Sequence, residues 1–189
     1  MPDLLGLTLT VNDDKRTGVK EIYIFKSNEV ASIAVDATSR EVTNIVMLST
    51  KKGYKVEIDD EESSYTGTLV GNYGPRMTNL LAVAVHKLDD ATRLIVQTWD
   101  RTACLGVLVK MYNGKTILLG YDFDSEDAAD VFKPVKKLNA SGTSTSGLVG
   151  DAGATATPKI LRGYQWETNY EPPFVDGTFD YTTFITAAA

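Results

Sequence analysis

The chain has 189 residues, the length of one domain with at most a small appendage. Its hydrophobic share of 43% can fill a core, and its charged share of 23% is that of an ordinary globular protein, so wholesale disorder is excluded. Lys and Arg number 19 against 25 for Asp and Glu, a formal net charge of -6, which excludes a protein that coats duplex nucleic acid by neutralising phosphates.

A single cysteine, Cys104, rules out an internal disulfide, and a single histidine, His86, rules out a multi-His or Cys/His metal site. No apolar run reaches the roughly 18 residues that span a bilayer, and Met1 to Thr10 lacks the basic start of a secretory signal. No membrane partner is expected, and the chain is expected to stay in the cytosol that makes it unless lysis releases it.

In chain order, Leu4 to Val11, Val19 to Lys26, Glu29 to Val35, Val42 to Leu48 and Tyr54 to Ile58 are short and rich in Val, Ile, Thr and Tyr, and read as strands. Turn signals separate them at regular intervals, among them Asn12-Asp13-Asp14, Ser27-Asn28 and Lys51-Lys52-Gly53, a spacing that points to a sandwich or barrel. Ser64 to Val70 continues the pattern. The run from Met77 to His86 then has two unequal faces, Leu81, Val83 and Val85 against Leu80, Ala82 and Ala84, which implies a close-packed neighbour on each side.

One helix is expected over Asp89 to Arg101, with Asp89 as N-cap, Asp90 in the first turn and Arg101 in the last. Ala91, Leu94, Ile95 and Thr98/Trp99 fall at helical spacing, and this stripe is expected to face the sheet. Cys104 to Tyr112 and Thr116 to Tyr121 flank Asn113-Gly114, which predicts a hairpin closed by a type I′ turn.

Lys133 to Thr157 collects Ser, Thr, Gly and Ala with few large apolar residues, and the stretch from Ala140 to Thr157 is expected to be an exposed, flexible loop. Structure resumes at Ile160 to Tyr170, followed by an extended aromatic tail. The fold expected is therefore mainly β, an antiparallel sandwich or barrel with one packed helix: a core over 1–139, the loop over 140–157, and a closing strand with C-terminal arm over 158–189.

The chemical motifs fail on inspection. Gly114-Lys115-Thr116 matches the end of a phosphate-binding loop, but the first glycine of that loop would have to be at 109, which is Val109, and no helix follows. Asp122, Asp124, Glu126, Asp127 and Asp130 resemble a calcium loop, yet Asp127 stands where the turn glycine belongs and Lys133 where the bidentate Glu belongs. Cys104 lies in the apolar run Ala103 to Val107 and reads as a core thiol, and His86 has no Gly-x-Ser-x-Gly nucleophile elbow to serve. Asn139-Ala140-Ser141 fits a glycosylation sequon without a secretory context. No catalytic, cofactor-binding or metal-ligating residue is expected, and the chain reads as a non-enzyme.

The last residues are unusually aromatic. Tyr164, Trp166, Tyr170, Phe174, Phe179, Tyr181 and Phe184 are expected to anchor a neighbouring subunit, with a strand closing its own barrel as the alternative for Tyr164 to Tyr170.

The order of Gly18-Val19-Lys20-Glu21-Ile22-Tyr23-Ile24, Val30-Ala31-Ser32-Ile33 and Val42-Thr43-Asn44-Ile45 resembles small structural proteins of tailed bacteriophages that infect gut Bacteroidetes. The resemblance continues through the strand and Leu-Asp-x-x-x-Arg helix of Leu80 to Asp100, then Gly106-Val107-Leu108-Val109 and Asn113 to Gly120. It implies a tail-tube-like barrel in the virion, made in the host bacterial cytoplasm and assembled as a ring homo-oligomer, a hexamer or dodecamer, with other phage tail, neck or capsid proteins as neighbours. Genomic DNA would pass through without specific binding.

Acidic loops suit such a conduit, and Asp59, Asp60, Glu61, Glu62, Asp122, Asp124, Glu126 and Asp127 are expected to face the channel. The alternative from a different class is a capsid decoration protein, or a carbohydrate-binding sandwich that stacks sugars on Tyr164, Trp166 and Tyr170.

Overall fold

The computed structural model describes residues 18–59, 61–71, 76–85, 89–123, 132–145 and 159–186. The expected first strand, Leu4 to Val11, and His86 lie outside them.

The fold is mainly β, as expected, and is organised in layers around a central seven-stranded sheet in the order β2-β3-β13-β8-β7-β1-β4. Its strands are β1 (Val19–Lys26), β2 (Val30–Val35), β3 (Val42–Met47), β4 (Tyr54–Val56), β7 (Leu105–Met111), β8 (Thr116–Leu119) and β13 (Phe174–Val175). All its pairings are antiparallel except β13 with β3. A four-stranded antiparallel sheet, β11-β12-β6-β5, packs against one face; its strands are β5 (Ser64–Val70), β6 (Arg76–Val85), β11 (Asn139–Thr145) and β12 (Lys159–Thr168). A two-stranded ribbon of β9 (Tyr121–Phe123) and β10 (Phe132–Pro134) completes the strands.

The middle strands of the large sheet are apolar on both faces because both faces are covered. Ile22, Ile24, Val107, Val109, Ile117 and Leu119 pack toward Leu81, Val83, Tyr164 and Trp166 of the small sheet. Tyr23, Phe25, Leu108 and Leu118 pack the opposite way, against Val42, Ile45, Val175, Phe179 and Phe184. The Phe25 ring packs against Gly106, where an added Cβ would sit 2.6 Å from it and force the buried ring to shift.

Helix α1 (Asp90–Arg101) starts as expected: the Asp89 carboxylate accepts the Thr92 N–H at 2.7 Å. Its orientation differs from the expectation. Val96 is buried and Trp99 packs on the core, whereas Leu94 is 66% and Ile95 51% exposed, so the Ala91/Leu94/Ile95 stripe turns outward. The cause is polar. Asp100 takes the Tyr164 hydroxyl at 3.0 Å and Arg162 Nε at 3.0 Å, while Lys137 Nζ donates to the Trp99 and Asp100 carbonyls at the helix C-terminus. Satisfying these groups rotates the helix onto its Val96/Trp99/Asp100 side.

The β7–β8 hairpin forms where Asn113-Gly114 placed it, but with a different turn. Gly114 donates to the Met111 carbonyl at 3.1 Å and has φ +81, while neither Tyr112 nor Asn113 has positive φ. This is a type I turn closed by a left-handed glycine, the three-residue hairpin alternative to type I′. Gly120, at φ +89, ends β8 and splits the expected Thr116 to Tyr121 strand from β9.

Two further expectations change. Residues 139–145 of the expected Ser/Thr/Gly loop form β11, paired through seven consecutive residues with β12, because alternating hydroxyl side chains suit a half-exposed edge despite their low apolar content. Residues 146–158 lie outside the described set. The C-terminal arm carries a second, short helix, α2 (Tyr181–Ile185), capped by Asp180, which accepts the Thr182 and Thr183 N–H groups.

Candidate functional site

Most of the aromatic residues expected at an interface belong to the chain's own core. Tyr164 and Trp166 are fully buried between the sheets, and the Trp166 indole donates to the Leu105 carbonyl at 3.1 Å. Burial, with the Asp100 charge beside it, pushes the Tyr164 hydroxyl far above its ordinary ionisation range. Phe179 and Phe184 are buried 5.7 Å apart, and Tyr181, half-buried, stacks on Tyr23 at 4.8 Å. The tail therefore folds back onto its own large sheet and leaves Phe174, 44% exposed, and half-buried Tyr170 and Tyr181 with surface for a neighbour. Stacking of sugars on Tyr164 and Trp166 is excluded in this conformation by the same burial.

The acidic residues sit at opposite ends of the small sheet. Asp59 donates its N–H to the Ala84 carbonyl at the end of β6, its carboxylate accepts the Glu61 and Glu62 N–H groups, and Glu62 pairs with Lys159 at 2.6 Å. Asp122, at the other end, accepts from the Asn169 backbone and side chain. Asp60, Asp124, Glu126 and Asp127 lie outside the described residues. Among the described residues no group of His, Cys, Asp and Glu could hold a metal ion. No helix among them is long and apolar enough to cross a membrane.

What sequence reasoning missed is the small sheet itself as a surface. Its core-facing side holds Met77, Asn79, Leu81 and Val83 of β6 with Tyr164, Trp166 and Thr168 of β12. Asn79, only 1% exposed, is satisfied by the Tyr65 hydroxyl at 2.8 Å and by Thr168 at 3.0 Å. From Met77 to Val85 the two faces divide as the sequence indicated, and the small face is covered only in part among the described residues: Ala84 is fully buried beneath the Asp59 to Ser63 corner, whereas Leu80 is 43% exposed and Thr78 and Ala82 are half-buried.

That outward face carries Ser64, Thr66 and Thr68 of β5, Thr78, Leu80 and Ala82 of β6, Leu161, Gly163 and Gln165 of β12, and Asn139, Ser141 and Thr143 of β11. Between Arg76 and Glu167 at one end and the Lys159–Glu62 pair at the other, it has no charged side chain.

Its two edges are equally plain. β5 and β11 are each seven residues long, contain no charged residue and pair with their inner neighbours without a register shift. An edge of that kind is a template for another strand. The signal in the sequence was the alternation Ser141-x-Thr143-x-Thr145, hidden inside a composition that reads as low complexity.

Among the described residues, fold and site together define a β-sandwich with one sheet covered on both faces and a second left largely open on one face and at both edges. Compared with known protein families, with curated proteins and with solved structures, the chain matches none.

Proposed function

We propose that this chain is a structural subunit of a homo-oligomeric ring, a tail-tube or neck-ring protein of a tailed bacteriophage virion, that forms a passive conduit for DNA. The observation that carries the reading is the pair of open edges. With four antiparallel strands the outer two, β5 and β11, run in opposite directions, so a copy related by rotation places its β11 antiparallel to β5 of the first. The sheet continues without a change of pattern until the ring closes, which removes every edge of this sheet.

The outward face then becomes the channel wall. Hydroxyls, amides and small side chains offer DNA phosphates no row of Lys or Arg, so transit releases no counterions and meets no sticky site. The acidic groups act at the rims rather than along the wall, with Asp59, Glu61 and Glu62 at one end and Asp122 at the other. Six copies would supply a wall of about 24 strands, which at about 4.8 Å spacing and about 36° tilt has a backbone diameter of about 45 Å. Other tail, neck or capsid proteins would stack on the rims.

Negative-stain imaging with sedimentation velocity of the concentrated protein tests the proposal. Annular particles or tubes with a central hole are expected. A compact monomer at every concentration overturns the ring, and a closed particle without a channel moves the chain to the capsid-decoration class.

A further inference from the structure

The register in which neighbouring copies join can be read from the two edges, on the premise that the chain forms the ring just described. We propose that β5 of one copy pairs antiparallel with β11 of the next, with Gly67 opposite Gly142.

The direction of the backbone groups fixes the parity. The Ala84 N–H donates to Ser63 Oγ at 3.1 Å and its carbonyl accepts from Asp59, so the even-numbered residues of β6 turn their backbone groups toward the β5 side. By the alternation of an antiparallel ladder, Ser64, Thr66 and Thr68 answer them, and Tyr65, Gly67 and Leu69 present N–H and C=O to the open edge. On the other side the Gln165 carbonyl accepts from the Leu138 N–H, so Asn139, Ser141 and Thr143 turn toward β12. By the same alternation Ala140, Gly142 and Ser144 present their groups outward, with Gly142 at φ +146, a backbone that favours glycine. The free groups on both edges thus belong to residues whose side chains point to the core side, and only a register that sets core-side residues opposite one another joins them.

Equal length selects one register among those. Seven residues against seven overlap fully only when the midpoints, Gly67 and Gly142, are opposite. Three pairs then exchange backbone hydrogen bonds: Tyr65 with Ser144, Gly67 with Gly142, and Leu69 with Ala140. On the channel side Thr66 faces Thr143 and Thr68 faces Ser141, hydroxyl pairs of the kind that stabilise neighbouring strands. On the core side Leu69, 65% exposed in the single chain, covers Ala140 beside Leu138, itself 56% exposed. A slip by one residue would turn Leu69 into the channel and leave the free groups unmatched.

The same register sets a stagger between neighbouring copies. Gly142 is level with Val83 through Arg162, and Gly67 is level with Asn79, a stagger of four residues across the four strands of each copy. One residue of stagger per strand is the ratio of a barrel with shear equal to strand number, whose strands tilt by about 36°.

Paired cysteines test the register in the full chain, with Cys104→Ser removing the native thiol. Thr66 and Thr143 are separated within one copy by three strand spacings, about 14 Å, too far for an internal disulfide. Mild oxidation of T66C/T143C is expected to give a reducible ladder of covalent multimers, and T66C/N139C, four residues out of register, none. Rings under the microscope without a T66C/T143C ladder overturn the register and leave the ring standing, as does a ladder from T66C/N139C. If neither variant associates and the unsubstituted chain is monomeric, the register and the ring fall together.

Discussion

The two sheets manage their edges in opposite ways. In the large sheet, edge strand β2 breaks register twice against β3, between Val30 and Ser32 and again between Ala34 and Val35. The opposite edge, β4, is three residues long and carries Lys55, tied to Glu21 at 2.9 Å. Bulges, brevity and a charged side chain are the devices by which soluble proteins prevent strand addition. On β5 and β11 the small sheet has no register shift and no charged residue of its own, although the Arg162 guanidinium of β12 reaches the Thr143 carbonyl and Ser144 hydroxyl of β11. The large sheet is covered on both faces, while among the described residues the small sheet has most of one face and both edges uncovered.

The largest effect comes from removing what the two sheets share. Trp166 is fully buried, touches the core between them and bonds to the Leu105 carbonyl of β7. Trp166→Ala is expected to cost about 3–5 kcal/mol, the range for deleting a large buried aromatic. Urea unfolding followed by tryptophan-independent circular dichroism should show one transition at lower denaturant. Two separated transitions would mean that the sheets are independent bodies.

A smaller effect separates the sheets by pH. Burial pushes the Tyr23 and Tyr121 hydroxyls, on the large sheet and its adjoining ribbon, well above their ordinary range, and it pushes Tyr65, on the β5 edge, up to about 12, with the Glu171 charge adding to the shift. Each group is held neutral by the fold, so its contribution is complete below the unfolded value near 10 and is lost as pH rises through the folded value. Tyr65 has the lowest raised value among these three and ionises first, releasing its bond to Asn79. Between about pH 10 and 12, hydrogen exchange is expected to quicken along β5 before β1 does. Simultaneous loss at both strands would remove the distinction.

The parts of this fold that the sequence announced are those set by local pattern. β1 and β5 run over the residues expected, and Asp89 caps α1 because a carboxylate before an amphipathic run can do little else. The parts that stayed hidden are decided by partners far along the chain. The outward turn of Leu94 and Ile95 follows from Asp100 meeting Arg162 and Tyr164, residues more than sixty positions away. β11 was concealed because its Ser/Thr/Gly composition is that of a linker, and only β12 makes a strand of it. The aromatic tail was legible as something that docks, but the surface that receives it, Tyr23 and Phe25 of β1, could not be told from a neighbour's.

The smallest effect on stability should have the largest effect on assembly, and it tests the contrast between guarded and open edges directly. Leu69 is 65% exposed near the end of β5, so Leu69→Lys removes little buried surface, and the isolated chain should keep its stability within about 0.5 kcal/mol. The new ammonium stands at the open edge in the manner of Lys55 on β4. In an antiparallel junction it would be pressed against Ala140 and desolvated, which opposes pairing. The reciprocal change, Lys55→Val, loses an ion pair that is about half exposed on the lysine side and worth at most about 1 kcal/mol. It opens an edge of only three residues, too short to recruit a strand. Sedimentation of the two variants beside the parent chain should therefore show L69K monomeric and K55V assembling as the parent does; an L69K protein that still forms rings would place the junction elsewhere than β5.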